Sequence, residues 1–144
     1  MTLDASRFLA AQDDGGTYAR ALAELRAGRK LGHWMWFVFP QVAGLGISPT
    51  SRFYALAGID DARAYLDHPV LGPRLVECAT ALSDLPATDP VAVLGGIDAQ
   101  KLRSSMTLFE LAADGDDRRA VFHSVLDQFF DGVEDAQTVS RLGA

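Results

Sequence analysis

The sequence predicts a mainly α-helical protein, a compact single-domain multihelical bundle of about seven or eight helices over residues 1–144. Two observations predict this class. Apolar residues recur at three- and four-residue spacing along most of the chain, which is the period of an amphipathic helix. Capping residues, prolines and glycines separate these segments. With 144 residues, of which 49% are hydrophobic and 22% charged, the chain has the length and balance of one globular domain.

Each predicted helix begins at a capping residue or a proline. In chain order these start signals are Asp4 or Ser6, Thr17, Ser48 with Pro49, Asp60, Pro73, Asp89 with Pro90, Asp98, and Asp116 or Asp117. A last short helix is expected over residues 134–142. The second helix shows the period clearly, because Tyr18, Ala21, Leu22 and Leu25 form one apolar face before Gly28 ends it. No repeat or linker divides the chain.

Residues 31–41 do not follow this pattern. The run is apolar on every side, so its period does not distinguish a strand from a buried turn or a short helix. It holds the only two tryptophans of the protein, Trp34 and Trp36, together with His33 and Gln41. One interpretation is that the aromatic residues build the core. The other is that they form the wall of a small-molecule pocket, with the polar neighbours orienting a ligand.

Composition excludes several classes of function. The formal net charge of -6 argues against a general nucleic-acid binder and against binding to an anionic membrane surface. Cys78 is the single cysteine, and no apolar run is long enough to span a bilayer, so we expect a reduced, cytoplasmic protein. The dispersed cysteine and histidines predict no metal site. Without a phosphate loop or a dinucleotide fingerprint, the sequence predicts no bound cofactor.

Polar residues around the aromatic run complete a first candidate site. Of 13 basic residues only Lys30 and Lys101 are lysine, which favours a need for a compact ammonium over an arginine fork, although both could be solvated surface residues. His33, beside Lys30, is either an acid–base group or a hydrogen-bonded structural histidine. The site would also include residues on the following turn and helix, namely Ser48, Ser51 and Tyr54.

A second polar cluster follows Asp98. On a helix Lys101 would neighbour Ser104 and Ser105 at three- and four-residue spacing. One cation beside two hydroxyls near a helix start could hold a phosphate or a carboxylate. The alternative is a seam of small residues that allows close helix packing, with the hydroxyls bonded back to the helix backbone.

Three segments carry a family resemblance. GHWMWFVFPQVAGLGISPTSRFYAL, YLDHPVLGPRLVECA and KLRSSMTLFELA resemble, in the same order, the domain-of-unknown-function 1810 family, and the likeness extends from about Arg7 to Leu142. The resemblance implies a compact, mainly helical bacterial protein and no established activity. A weaker likeness, in the order aromatic-Pro, Gly-turn, Ser-x-x-Ser-x-x-Tyr, is to proteins of the NADAR type, linked to NAD and ADP-ribose chemistry; Lys30 and Lys101 have no counterpart there.

These observations lead to two hypotheses. In the first, the protein binds a small anionic metabolite such as a nucleotide or ADP-ribose derivative, and whether it also acts on it as an enzyme stays open. His33 and Asp98 are the candidate catalytic groups, and the remaining residues named above bind the ligand: Lys30, Trp34, Trp36, Gln41, Ser48, Ser51, Tyr54, Lys101, Ser104 and Ser105. In the second, the protein is a non-catalytic interaction module that anchors a protein partner through the Trp34/Trp36 segment.

Overall fold

The structure, a computed structural model, describes residues 3–143. Their α-helices are α1 Ser6–Asp13, α2 Thr17–Ala27, α3 Met35–Val38, α4 Pro49–Tyr54, α5 Ile59–Asp67, α6 Leu71–Ser83, α7 Pro90–Leu94, α8 Gly96–Ala112, α9 Asp116–Phe130 and α10 Ala136–Leu142. Within this range the only β-type pairing is an isolated parallel bridge between Val42 and Leu56. The mainly helical class is therefore confirmed. The helix count exceeds the prediction because short helices such as α3 lack an amphipathic stripe.

The helix α8 lies at the centre of the fold and packs against α5, α7, α9 and α10. The sequence predicts one apolar stripe on it, formed by Leu102, Met106, Phe109 and Ala113. The buried surface is wider than that stripe, since every residue from 104 to 109 is buried. A helix with neighbours on several sides buries more than one face.

No helix within residues 3–143 is both long and apolar enough to cross a membrane.

The aromatic run contains a single helical turn, α3, between segments without regular secondary structure. Trp34, Met35 and Phe39 are each no more than 2% exposed. The carbonyl oxygen of Phe37 accepts a hydrogen bond of 2.8 Å from the side-chain amide of Gln12, which is itself buried. That bond satisfies a backbone acceptor that such a short helix leaves unpaired. Most of the run is thus core.

Three helix starts precede the predicted positions. Asp60 does not cap α5, because the helix begins at Ile59 after an N-cap at Gly58. Two longer helices differ as well. Asp98 does not cap α8, because the helix already begins at Gly96 and Asp98 lies in its first turn. Pro73 does not open α6, which begins at Leu71. There the ring nitrogen Nδ1 of His68 accepts hydrogen bonds from the backbone N–H groups of Val70 and Leu71. In both places the actual start precedes the residue with the strongest propensity signal, which tertiary packing overrides.

The junction of α5 and α6 requires a glycine. A Cβ atom built on Gly72 would overlap the carbonyl oxygen of Leu66, a backbone atom that cannot swing away. The absent side chain allows the first turn of α6 to approach the end of α5 closely. This contact holds α5 against α6, and these two helices pack in turn against α8 and α9.

Candidate functional site

A carboxylate on α2 shapes the loop that carries the first lysine. Glu24 Oε1 accepts hydrogen bonds from the backbone N–H groups of Leu31 (2.7 Å) and Gly32 (2.8 Å) and from the indole N–H of Trp34 (3.0 Å). Burial acts to raise the pKa of the Glu24 carboxyl, but these donors and the nearby Lys30 ammonium outweigh it and hold the pKa below its usual value. The loop from residue 29 to 34 is therefore fixed to α2 by one ionised side chain.

Lys30 and Lys101 converge on one carboxylate. Lys30 Nζ lies 2.8 Å from Asp98 Oδ2, and Lys101 Nζ lies 3.5 Å from Asp98 Oδ1. All three side chains are mostly buried, with 8%, 17% and 19% of Lys30, Lys101 and Asp98 exposed. Lys30 Nζ also donates to the carbonyl oxygen of Gly32. Two cations thus share the carboxylate of Asp98 at the cleft, and the ionised Glu24 carboxylate, which lies near Lys30, offsets part of their charge.

Each ammonium also lies over a tryptophan ring. Lys30 Nζ is 5.1 Å from the ring centroid of Trp34, and Lys101 Nζ is 4.9 Å from that of Trp36. Cation–π contacts at these distances orient the ammonium groups and leave their N–H groups available for hydrogen bonds. The two rings differ in exposure, because Trp34 is buried and Trp36 is half-buried. Only Trp36 therefore offers part of its ring to a ligand.

A cleft of about 350 Å³ opens beside this cluster, and we call it the anion cleft. Its walls come from the lysine loop, α3 and the start of α8: Lys30, His33, Met35, Trp36, Leu94, Gly95, Gly96, Ile97 and Asp98. No side chain among the described residues caps α8, and the first residues of this helix line the cleft. The positive end of the helix dipole adds to the charge of the lysines. The cleft is large enough for a small metabolite.

A second depression of about 510 Å³ adjoins the anion cleft, and we call it the apolar groove. It is lined by Gln41, Leu45, Gly46, Ile47, Gly96, Ile97, Gln100 and Lys101. Gly96 and Ile97 line both depressions. The predicted candidates Gln41 and Lys101 therefore lie here, next to the cleft that holds Lys30, Trp36 and Asp98.

Three predicted candidates lie on or beside α4. Ser48 Oγ accepts from the backbone N–H of Ser51 at 3.1 Å and donates to its hydroxyl at 2.9 Å, so this pair caps α4. Tyr54 lines a third cleft of about 360 Å³, together with Glu24 and His33. His33 is exposed and lies between that cleft and the anion cleft. The structure thus brings His33 to Asp98's cleft but places Ser48 and Ser51 outside it.

The serines of the second predicted cluster are buried away from Lys101. Ser104 is 2% exposed and Ser105 is fully buried. Ser104 Oγ donates to the carbonyl oxygen of Gln100, one turn earlier, and to the buried carboxylate of Asp135, both at 3.1 Å. Ser104 matches the packing-seam alternative, since its hydroxyl bonds back to the helix backbone, whereas the buried Ser105 hydroxyl has no hydrogen-bond partner among the described residues. Of that cluster, Asp98 lines the anion cleft, and Lys101 lines the adjoining groove while its ammonium contacts Asp98.

Sequence reasoning missed Glu24, Gly96 and Ile97. Glu24 stands on the polar face of an amphipathic helix, where most glutamates are simply solvated, so nothing local marks it. Gly95 and Gly96 did carry a signal, because paired glycines before a helix leave its backbone open, but the sequence alone reads them as an ordinary helix end. Ile97 has 77% of its surface exposed, a position that the sequence cannot show.

Comparison with known protein families identifies the family of this chain. The family described as Protein of unknown function (DUF1810) matches residues 2–142. The chain belongs to this family. The match confirms the resemblance carried by the three sequence segments. A search of curated proteins finds no match.

A similar solved structure confirms the fold. The conserved hypothetical protein Rv1873 from Mycobacterium tuberculosis is 43% identical, and the alignment covers 99% of this chain and 98% of that one. The TM-score of 0.92 means that the two backbones follow the same path.

Proposed function

We propose that this DUF1810 protein binds a small anionic metabolite, such as a nucleotide or an ADP-ribose derivative, in the anion cleft. The observation that carries the proposal is the pairing of Lys30 and Lys101 with the single carboxylate of Asp98, which leaves the Lys101 ammonium with one long carboxylate contact beside a cleft. Partly desolvated charges attract a counter-charge strongly, because little water screens them. A phosphate or carboxylate of the ligand supplies it.

The geometry suggests a role for each residue in binding. Lys101 is the main anion donor, since its one carboxylate contact is long, at 3.5 Å, and its ammonium retains free N–H groups. Lys30 is held more tightly, by Asp98 and by the carbonyl oxygen of Gly32, and it shapes the charge of the cleft. The half-buried ring of Trp36 supports a flat part of the ligand. His33, exposed at the rim, exchanges protons with bound ligand if a reaction follows.

The interaction-module alternative has less support. An anchoring aromatic residue must be accessible to the partner, whereas Trp34 is 2% exposed and donates its indole N–H to Glu24. Trp36 is half-buried, with the Lys101 ammonium over its ring.

For the cellular compartment we propose the cytoplasm, because the single cysteine, Cys78, is a free thiol buried in the core.

Titration calorimetry with AMP, ADP-ribose and NAD tests the proposal. At least one of these should bind, and Lys101→Ala should weaken it at least about tenfold, the equivalent of 1.4 kcal/mol. The matched control is Arg52→Ala, which also removes one positive charge, from an exposed residue of α4 outside both depressions. Equal weakening by both variants would indicate a general charge effect and would contradict the site. Absence of binding by all three ligands would contradict the ligand class.

A further inference from the structure

Two isoleucines of the apolar groove are unusually exposed. Ile47 has 83% and Ile97 has 77% of its surface accessible, and both line the same depression together with the half-buried Leu45. Single exposed apolar residues are common on protein surfaces. Two branched residues that share a concave depression form an apolar surface whose burial by a ligand is energetically favourable.

This groove is continuous with the anion cleft. Gly96 and Ile97 line both depressions, and a Cβ atom built on Gly96 would meet no heavy atom within 4 Å. No side chain therefore stands between them at this residue. Lys101 lines the groove while its ammonium pairs with Asp98 of the cleft. A ligand crossing Gly96 would meet Lys30 and Asp98 on the cleft side and, on the groove side, Lys101 together with the apolar Ile47.

We propose that the ligand is an amphiphilic anion, in which one phosphate or carboxylate is joined to an uncharged apolar group of the size of a nucleobase or a short alkyl chain. The anionic group lies at Lys101, and the apolar group covers Ile47 and Ile97. This inference rests on the proposed function, because it presumes that the cleft binds an anion. It specifies the chemical character of the second group of the ligand, which the charged residues leave undefined.

Three phosphate monoesters separate the two parts of the ligand. Methyl phosphate supplies the anion alone, hexyl phosphate adds an alkyl chain, and AMP adds a nucleobase. Their dissociation constants can be measured by NMR from the indole N–H signal of Trp36, since the protein has two tryptophans to assign. We expect hexyl phosphate, AMP or both to bind at least about tenfold more tightly than methyl phosphate. The better of the two identifies the apolar group. Equal affinity for all three would overturn the inference while leaving the proposed function intact.

Variants then locate the preference in the groove. Ile47→Ser should remove the advantage of the larger phosphates and leave methyl phosphate binding unchanged, because Ile47 lines the groove and not the anion cleft. The control is Val133→Ser at another exposed apolar residue, which lines neither depression. An advantage that survives Ile47→Ser would overturn the inference.

A second variant tests the crossing point. Gly96→Leu places a side chain into open space between the two depressions, so it should fold normally and lose the advantage of the larger phosphates. An undiminished advantage in folded Gly96→Leu would also overturn the inference. If no phosphate binds to the wild-type protein, the proposed function fails and the inference fails with it.

Discussion

Replacing Glu24 by glutamine tests how the lysine loop is held. The change keeps the shape of the side chain but removes the negative charge from the acceptor of three hydrogen bonds, at 2.7, 2.8 and 3.0 Å. A hydrogen bond to a charged group contributes about 1.5–3 kcal/mol and a neutral one about 0.5–1.5 kcal/mol, so each bond should lose roughly 1 kcal/mol. Because Glu24 is partly exposed, solvent screening should reduce the sum to about 2 kcal/mol.

Thermal unfolding measures this loss. For a chain of this size, about 2 kcal/mol corresponds to a decrease in Tm of roughly 4–8 °C. The matched control is Glu134→Gln, because Glu134 is exposed and its side chain takes part in no ion pair or hydrogen bond found among the described residues. A Tm for the Glu24 variant equal to that of the control would refute the reasoning that this carboxylate fixes the loop.

The pH dependence provides an independent check of the same carboxylate. The pKa of Glu24 is lowered in the folded protein from its ordinary value of 4.5, because the N–H donors outweigh the effect of burial. Its contribution to the free energy of unfolding is therefore present above pH 4.5 and is lost as the pH falls through the folded-state pKa. Since glutamine does not titrate, the Tm difference between wild type and variant should shrink in acid. A constant difference would mean that charge is not its source.

Two further changes test the packing and a surface ion pair. Gly72→Ala should lower the free energy of unfolding by at least about 1–3 kcal/mol in denaturant titrations, because its methyl group overlaps the Leu66 carbonyl; the same change at Gly115, where the space is open, should cost much less. His123 has a raised pKa, chiefly through its hydrogen bond to Glu110, so its stabilisation is full below pH 6.5 and is lost as the pH rises through the folded-state pKa. The wild-type Tm should accordingly fall toward that of His123→Gln as the pH rises above 6.5. The corresponding loss in the free energy of unfolding should not exceed about 0.2–1 kcal/mol, the contribution of an exposed pair. A gap that widens with pH would contradict this sign.

The sequence predicted the long amphipathic helices well and the aromatic run poorly. In α2 the spacing of Tyr18, Ala21, Leu22 and Leu25 specifies one buried face, which the structure contains. In residues 31–41 the same principle gives no answer, because a segment buried on all sides has no polar face to set a period. Whether Trp34 and Trp36 are core or surface depends on tertiary contacts, of which those of Trp34 with Glu24 and of Trp36 with Lys101 are two.

The candidate site shows the same division. The two lysines were identified from their rarity alone, yet their convergence on Asp98 needs the loop after α2 to meet the first turn of α8. Ser104 and Ser105 had suitable spacing on the helix but face the interior, because α8 is enclosed by four other helices. Helical spacing gives a residue's neighbours on its own helix and not the direction of the protein surface.

By itself the sequence determined the helical class, most helix positions and membership of the DUF1810 family, because these depend on local period, capping residues and contiguous motifs. Only the tertiary structure decided that Trp34 is buried while Trp36 borders a cleft, that one carboxylate serves both lysines, and that Ile47 and Ile97 share a groove beside them. The physical reason is that burial and charge pairing arise from contacts between segments that are remote in the chain. Local propensity carries no information about those contacts.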